Sequence, residues 1–146
     1  MTHTKYETDA AQNATEIAWL AGIIKGEKVT SFLEVGARYG GSVWKIAQVL
    51  QAGSRIVVVD MPAGYGGRSD GQANLEACVD RLNSMGYDAT LILGDSTAPE
   101  VVKQAQALGP FDACFIDANH VEFCVRSDWE NYGEMSRIVA FHDIGW

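Results

Sequence analysis

Phe32-Leu33-Glu34-Val35-Gly36-Ala37-Arg38-Tyr39-Gly40-Gly41-Ser42-Val43, followed by a helical pattern and then Ile56-Val57-Val58-Val59-Asp60, decides the fold. The stretch reads as a strand, a glycine turn, a helix and a second strand ending in an acid. In this order a short apolar strand leads to a turn where Gly36 and Gly40 let backbone approach a ligand without a Cβ in the way. The second strand brings Asp60 to the same sheet edge, where a carboxylate can accept hydrogen bonds from both hydroxyls of a ribose. A dinucleotide fingerprint would read G-x-G-x-x-G, with a helix N-terminus aimed at a pyrophosphate. Here the run is E-x-G-x-x-x-G, with Arg38 and Tyr39 where a second close glycine would stand, a poor match to a pyrophosphate loop.

Outward from this unit, apolar periodicity alternates between helix and strand. A polar N-terminus over residues 1–9 reads as a flexible tail. A helix is predicted from Ala10 to Lys25, a strand from Thr30 to Val35, a helix from Gly41 to Ala52 and a strand from Arg55 to Val59. Met61 to Gly71, with Pro62, Gly64, Gly66, Gly67 and Gly71, reads as a loop longer than usual. It is either a surface insertion or a lid over the ligand. Further along come a helix from Gln72 to Met85, a strand from Ala89 to Leu93 and a helix from Thr97 to Leu108 capped by Ser96 and Thr97. A strand from Phe111 to Ile116, a helix from Val121 to Met135 and a strand from Arg137 to Phe141 complete the pattern. Strands alternating with helices imply right-handed crossovers and a parallel sheet in a single α/β domain over residues 10–146.

The bulk properties narrow the function classes. The net charge of 11 − 19 = −8 argues against a nucleic-acid substrate, since Lys and Arg neutralising phosphates supply most of that affinity. No apolar run approaches the length of a membrane span. Cys78, Cys114 and Cys124 lack metal or redox spacing, and with no signal-peptide pattern a reducing cytoplasm is the simplest setting.

Five segments, each at a predicted strand end, carry a resemblance. They are Glu34-Val35-Gly36 with Gly40, Val59-Asp60, Gly94-Asp95-Ser96, Phe111 to His120, and Phe141-His142-Asp143-Ile144. From Phe32 onward the chain resembles the class I S-adenosylmethionine-dependent methyltransferases, nearest to small-molecule O-methyltransferases and cephalosporin-hydroxylase-like proteins. The resemblance implies a Rossmann-like sandwich with strand order 3-2-1-4-5, normally continued by an antiparallel hairpin that is lacking after Trp146. Either the chain is a truncated form or the edge of the fifth strand is covered by a partner, with a homodimer the favoured expectation.

The resemblance also implies site roles. Glu34, with Gly36, Ala37, Arg38, Gly40 and Ser42, would hold the amino-acid end of S-adenosylmethionine, and Asp60 and Met61 its ribose. Asp95 and Ser96 would meet the adenine, although both also read as helix caps, and Asp117 would border cofactor and substrate. Asp117 and Asp143 end neighbouring strands, so their carboxylates could converge on a hard divalent cation such as Mg2+, with His142 completing the set. His120 is the candidate general base for a hydroxyl, and Trp44, Trp129 and Tyr132 read as packing residues. The expected activity is methyl transfer to an oxygen of a small-molecule acceptor. The alternatives are a catalytically inactive nucleoside-binding module and a nicotinamide-dependent oxidoreductase.

Overall fold

The computed structural model describes residues 5–8, 13–62, 69–118 and 121–142. Five parallel strands form one sheet: β1 (Ser31–Val35), β2 (Arg55–Asp60), β3 (Asp88–Leu93), β4 (Phe111–Ile116) and β5 (Ser136–Phe141). Their order is β3-β2-β1-β4-β5, as the resemblance implied. Six helices accompany them: α1 (Lys5–Thr8), α2 (Ala14–Gly26), α3 (Gly41–Ala47), α4 (Ser69–Ser84), α5 (Pro99–Leu108) and α6 (Glu122–Tyr132).

Strand alternation sorts side chains into two cores. Phe32, Ile56, Val58 and Phe115 pack under α2, α3 and α4 on one face, while Leu33, Val35, Val57 and Ile116 pack under α5 and α6 on the other. Covered on both faces, the three central strands are largely apolar, and Glu34 is the one acid fully buried within them. That one acid faces the α3 side together with Phe32.

Several expected boundaries shift for local reasons. Lys5–Thr8, inside the stretch expected to be a flexible tail, forms a helical turn because Tyr6 is buried against Trp44, ring centroids 5.2 Å apart. α3 ends at Ala47 rather than Ala52. α4 begins at Ser69, so the expected loop gives up its last three positions to the helix, and residues 63–68 of that loop lie outside the described residues. The expected Ser96/Thr97 cap is replaced by Ala98, which caps α5 without a side-chain bond, and Pro99 opens the helix. Thr97 instead turns back to Asp95, donating its N–H and its hydroxyl to Asp95 Oδ1 at 2.8 and 2.7 Å.

Candidate active site

The parallel ladder runs one residue past the strands and thereby fixes the backbone of the sheet's C-terminal edge. Gly36 N–H donates to Val59 (2.8 Å), Gly94 N–H to Asp60 (2.9 Å), Asp117 N–H to Val35 (2.8 Å) and His142 N–H to Ile116 (3.2 Å). Gly36, Asp60, Asp95, Asp117 and His142 therefore stand along one rim, where ligands bind in open α/β sheets.

At the centre of the rim, Gly36 adopts φ +86°, and a Cβ there would lie 2.4 Å from the Ala118 Cα. The β1 turn and the chain leaving β4 are thus in direct backbone contact, which only glycine permits. Gly40, at φ +89°, begins α3 against Cys78. Between them Arg38 takes φ +51°, a left-handed conformation rare outside glycine, at the position where the sequence lacks a further glycine. The exposed Arg38 guanidinium lies over the Tyr39 ring at 4.7 Å, and Lys5 Nζ lies 4.5 Å from the same ring.

Glu34 is fully buried, and the Ser42 hydroxyl donates a short hydrogen bond to its Oε1. Its Oε2 is buried with no hydrogen-bond partner among the described residues. Burial holds this carboxyl well above its ordinary value. The Ser42 bond opposes the rise, and the charges of Asp117 and Asp60 add to it. Asp60 is partly buried and likewise raised by burial, opposed by the backbone N–H groups of Met61, Arg38 and Ala37. The Met61 N–H donates to Asp60 Oδ1 at 2.9 Å. Asp60 thus ties the end of β2 to the β1 turn.

At the β3 end, the exposed Asp95 is lowered by the two Thr97 bonds. Ser96 is anchored from below: its hydroxyl donates to Asp128 Oδ1 at 2.7 Å, and its carbonyl accepts from the Tyr132 hydroxyl at 2.7 Å. Asp128 carries no expectation from the sequence reading. Its signal was the helical stripe Cys124, Asp128, Tyr132, in which a charge occupies an apolar register. Of the expected packing aromatics, Tyr132 is buried, Trp44 meets Tyr6, and the half-exposed Trp129 lies 5.8 Å from the Phe141 ring.

At the β4–β5 end, His142 Nδ1 lies 3.2 Å from Asp117 Oδ1 and Nε2 lies 3.2 Å from Glu16 Oε2 on α2. The Nε2 contact is a hydrogen bond and the Nδ1 contact a close approach, and the ring stands edge-on to Phe115. The structure brings together two of the three expected metal ligands, Asp117 and His142. Among the described residues no group of three or more His, Cys, Asp or Glu is arranged to hold a cation. Asp143, the third expected ligand, and His120, the expected base, lie outside the described residues. Glu16 was not anticipated; it is 126 residues from its partner.

Residues 33–144 match the family profile described as "Methyltransferase domain", well over half of the chain. The chain belongs to this family. Its fold is shared by an O-methyltransferase from Bacillus cereus in complex with SAH, at 20% identity and TM-score 0.68, over 86% of this chain and 53% of that one. The Streptomyces achromogenes O-methyltransferase TomG, involved in tomaymycin synthesis and solved with SAM, gives TM-score 0.71 at 16% identity, over 93% of this chain and 61% of that one. Cofactor-bound Rv0187 from MTB gives 0.67 at 18% identity, over 88% of this chain and 56% of that one. This methyltransferase domain therefore spans little more than half the length of those structures. No curated protein sequence matches the chain.

Proposed function

We propose that this methyltransferase domain binds S-adenosylmethionine along the β1, β2 and β3 rim and serves methyl transfer to an oxygen of a small molecule. One observation carries the reading. The end of β1 keeps a buried carboxylate oxygen, Glu34 Oε2, without a protein partner, beside a glycine turn that Asp60 ties to β2. A buried polar atom left unpaired is costly unless a ligand supplies its partner, and the ammonium of an amino acid is a fitting donor. Asp60 has acceptor capacity for ribose hydroxyls, and the exposed Asp95 for the adenine amino group.

When bound, S-adenosylmethionine supplies a methyl carbon on positively charged sulfur, which an acceptor oxygen attacks as the carbon–sulfur bond breaks. The chain's own task is to hold the two partners in line and to take the hydroxyl proton. His120, four residues past the end of β4 in the sequence, is the proposed proton acceptor, and Asp117 is proposed to assist it. The reading assigns no step to a divalent cation: of the three expected ligands Asp117 and His142 meet at the rim, and Asp143 lies outside the described residues. A small acceptor suits a domain of net charge −8 better than a nucleic acid does. No described helix is long and apolar enough to cross a membrane, which is compatible with the proposed cytoplasmic setting. A second copy of the chain along β5, bonded only to β4 among the described strands, belongs to the same proposal.

Calorimetric titration with S-adenosylmethionine and S-adenosylhomocysteine tests it. Both should bind, and Asp60→Ala should weaken both at least about tenfold through loss of charge-assisted bonds. Binding without methyl transfer to any hydroxylated acceptor would identify a binding module instead. No heat and no thermal stabilisation at millimolar ligand would end the methyltransferase reading.

A further inference from the structure

α6 contains a buried charge that the proposed reaction does not use. Asp128 is 1% exposed and lies four residues before Tyr132, on the helix face turned toward the protein. Both side chains reach the same residue of the turn after β3: Asp128 holds the Ser96 hydroxyl and Tyr132 the Ser96 carbonyl. Asp128 Oδ2 is buried with no hydrogen-bond partner among the described residues. Asp95 from the turn, Cys114 from β4 and Tyr132 from its own helix are the titratable groups that interact with it, and none is a cation. Burial pushes this carboxyl up to about 6, opposed by the Ser96 bond and assisted by the Asp95 charge. For stability alone an amide or an apolar side chain would serve better, since a buried carboxylate with a single hydrogen bond is unfavourable. What the carboxylate adds is a strong, acceptor-only grip on Ser96.

We infer that Asp128 is a positioning residue for nucleoside recognition, which fixes Ser96, and with it the turn from Gly94 to Thr97, in the conformation that receives the purine. The inference rests on the S-adenosylmethionine reading above. The turn is clamped from three sides. Val101 crowds Gly94, where a Cβ would lie 2.4 Å from Cγ2; Thr97 binds Asp95; and α6 holds Ser96. Of these, only the α6 contact depends on an ionisable group whose proton is gained or lost near neutrality. Protonation of Asp128 exchanges a charge-assisted bond for a neutral one and loosens the grip.

The experiment is titration of S-adenosylhomocysteine and, separately, adenosine into the full chain, comparing wild type, Asp128→Asn, Ser96→Ala and the double variant. Each single variant should weaken both ligands by the same factor, roughly tenfold, and the double variant should be no weaker than either. Wild-type affinity should fall as pH drops through about 6, and Asp128→Asn should lack that step. Thermal unfolding should find Asp128→Asn at least as stable as wild type at neutral pH; should that variant fail to fold, Ser96→Ala carries the same ligand comparison. Unchanged affinity in the variants of a binding wild type overturns this inference alone, as do additive losses or a loss confined to S-adenosylhomocysteine. A wild type that binds neither ligand overturns the cofactor reading and this inference with it.

Discussion

Two stretches of the sheet's C-terminal rim, one where β1 and β2 end and one where β4 and β5 end, treat their acids differently. At β1 and β2, Glu34 and Asp60 are pushed above their ordinary values by burial, and one oxygen of Glu34 has no hydrogen-bond partner among the described residues. At β4 and β5, Asp117 lies against an imidazole that also meets Glu16, so the acid there has a side-chain contact within the protein. The first leaves a buried carboxylate oxygen open to a ligand, whereas the second sets its carboxylate against a side chain of the protein. A rim that binds a cationic amino-acid group needs the former, and a rim that ties a helix to the sheet needs the latter. The difference predicts where substitutions damage folding, where they damage binding and where they do little.

The largest effect should come from the backbone that both ends share. Gly36→Ala would place a Cβ 2.4 Å from Ala118 Cα at a φ of +86°, so neither flank can yield without displacing a strand end. A left-handed alanine combined with a clash against main chain should cost about 3 kcal/mol or more. Urea unfolding measures it, and a loss below about 1 kcal/mol would mean that the two ends are not rigidly coupled.

Glu34→Gln comes next and separates stability from binding. The folded Glu34 carboxyl holds its proton more tightly than the unfolded chain, whose value is near 4.5. Wild-type stability from this group is therefore fully present below that pH and is lost as pH rises toward the raised folded value. Glutamine does not titrate, so Glu34→Gln should match wild type at about pH 4 and become progressively more stable than it as pH rises. S-adenosylhomocysteine affinity should fall roughly tenfold in the same variant. Equal melting temperatures at every pH would show that Glu34 is an ordinary satisfied carboxylate, and the contrast between the two ends would disappear.

What the sequence could show follows the same division. The strand–turn–strand core was legible because apolar runs and glycines act locally: Gly36 and Gly40 both proved to need positive φ. Asp60 stood out as a charge ending an apolar strand. The meeting of Asp117 and His142 was legible from their places after neighbouring strands, but nothing in their neighbourhood announces Glu16, which comes from α2 at the other end of the chain. Arg38 hides its conformation, because an arginine in left-handed backbone leaves no mark on composition or spacing. Asp128 and Ser96 are 32 residues apart, and their pairing exists only after α6 has packed across the turn.

His142→Ala and Glu16→Ala should then give the smallest effects, in that order. Removing the imidazole strips the 9%-exposed Asp117 side chain of a contact and removes the ring edge from Phe115, so a loss of about 1–2 kcal/mol is expected. Removing Glu16 deletes a carboxylate that is 63% exposed and screened by water, which should cost about 0.5 kcal/mol or less. The order matters more than either size. If the β4–β5 end is a tether held by the buried partner, the double variant should be no worse than His142→Ala alone, since the Glu16 contact passes through the ring it no longer meets. A Glu16→Ala loss as large as that of His142→Ala would place the grip on α2 rather than on Asp117. The β4–β5 end would then be a helix anchor that happens to touch the rim, and only the β1–β2 end would have been shaped for a ligand.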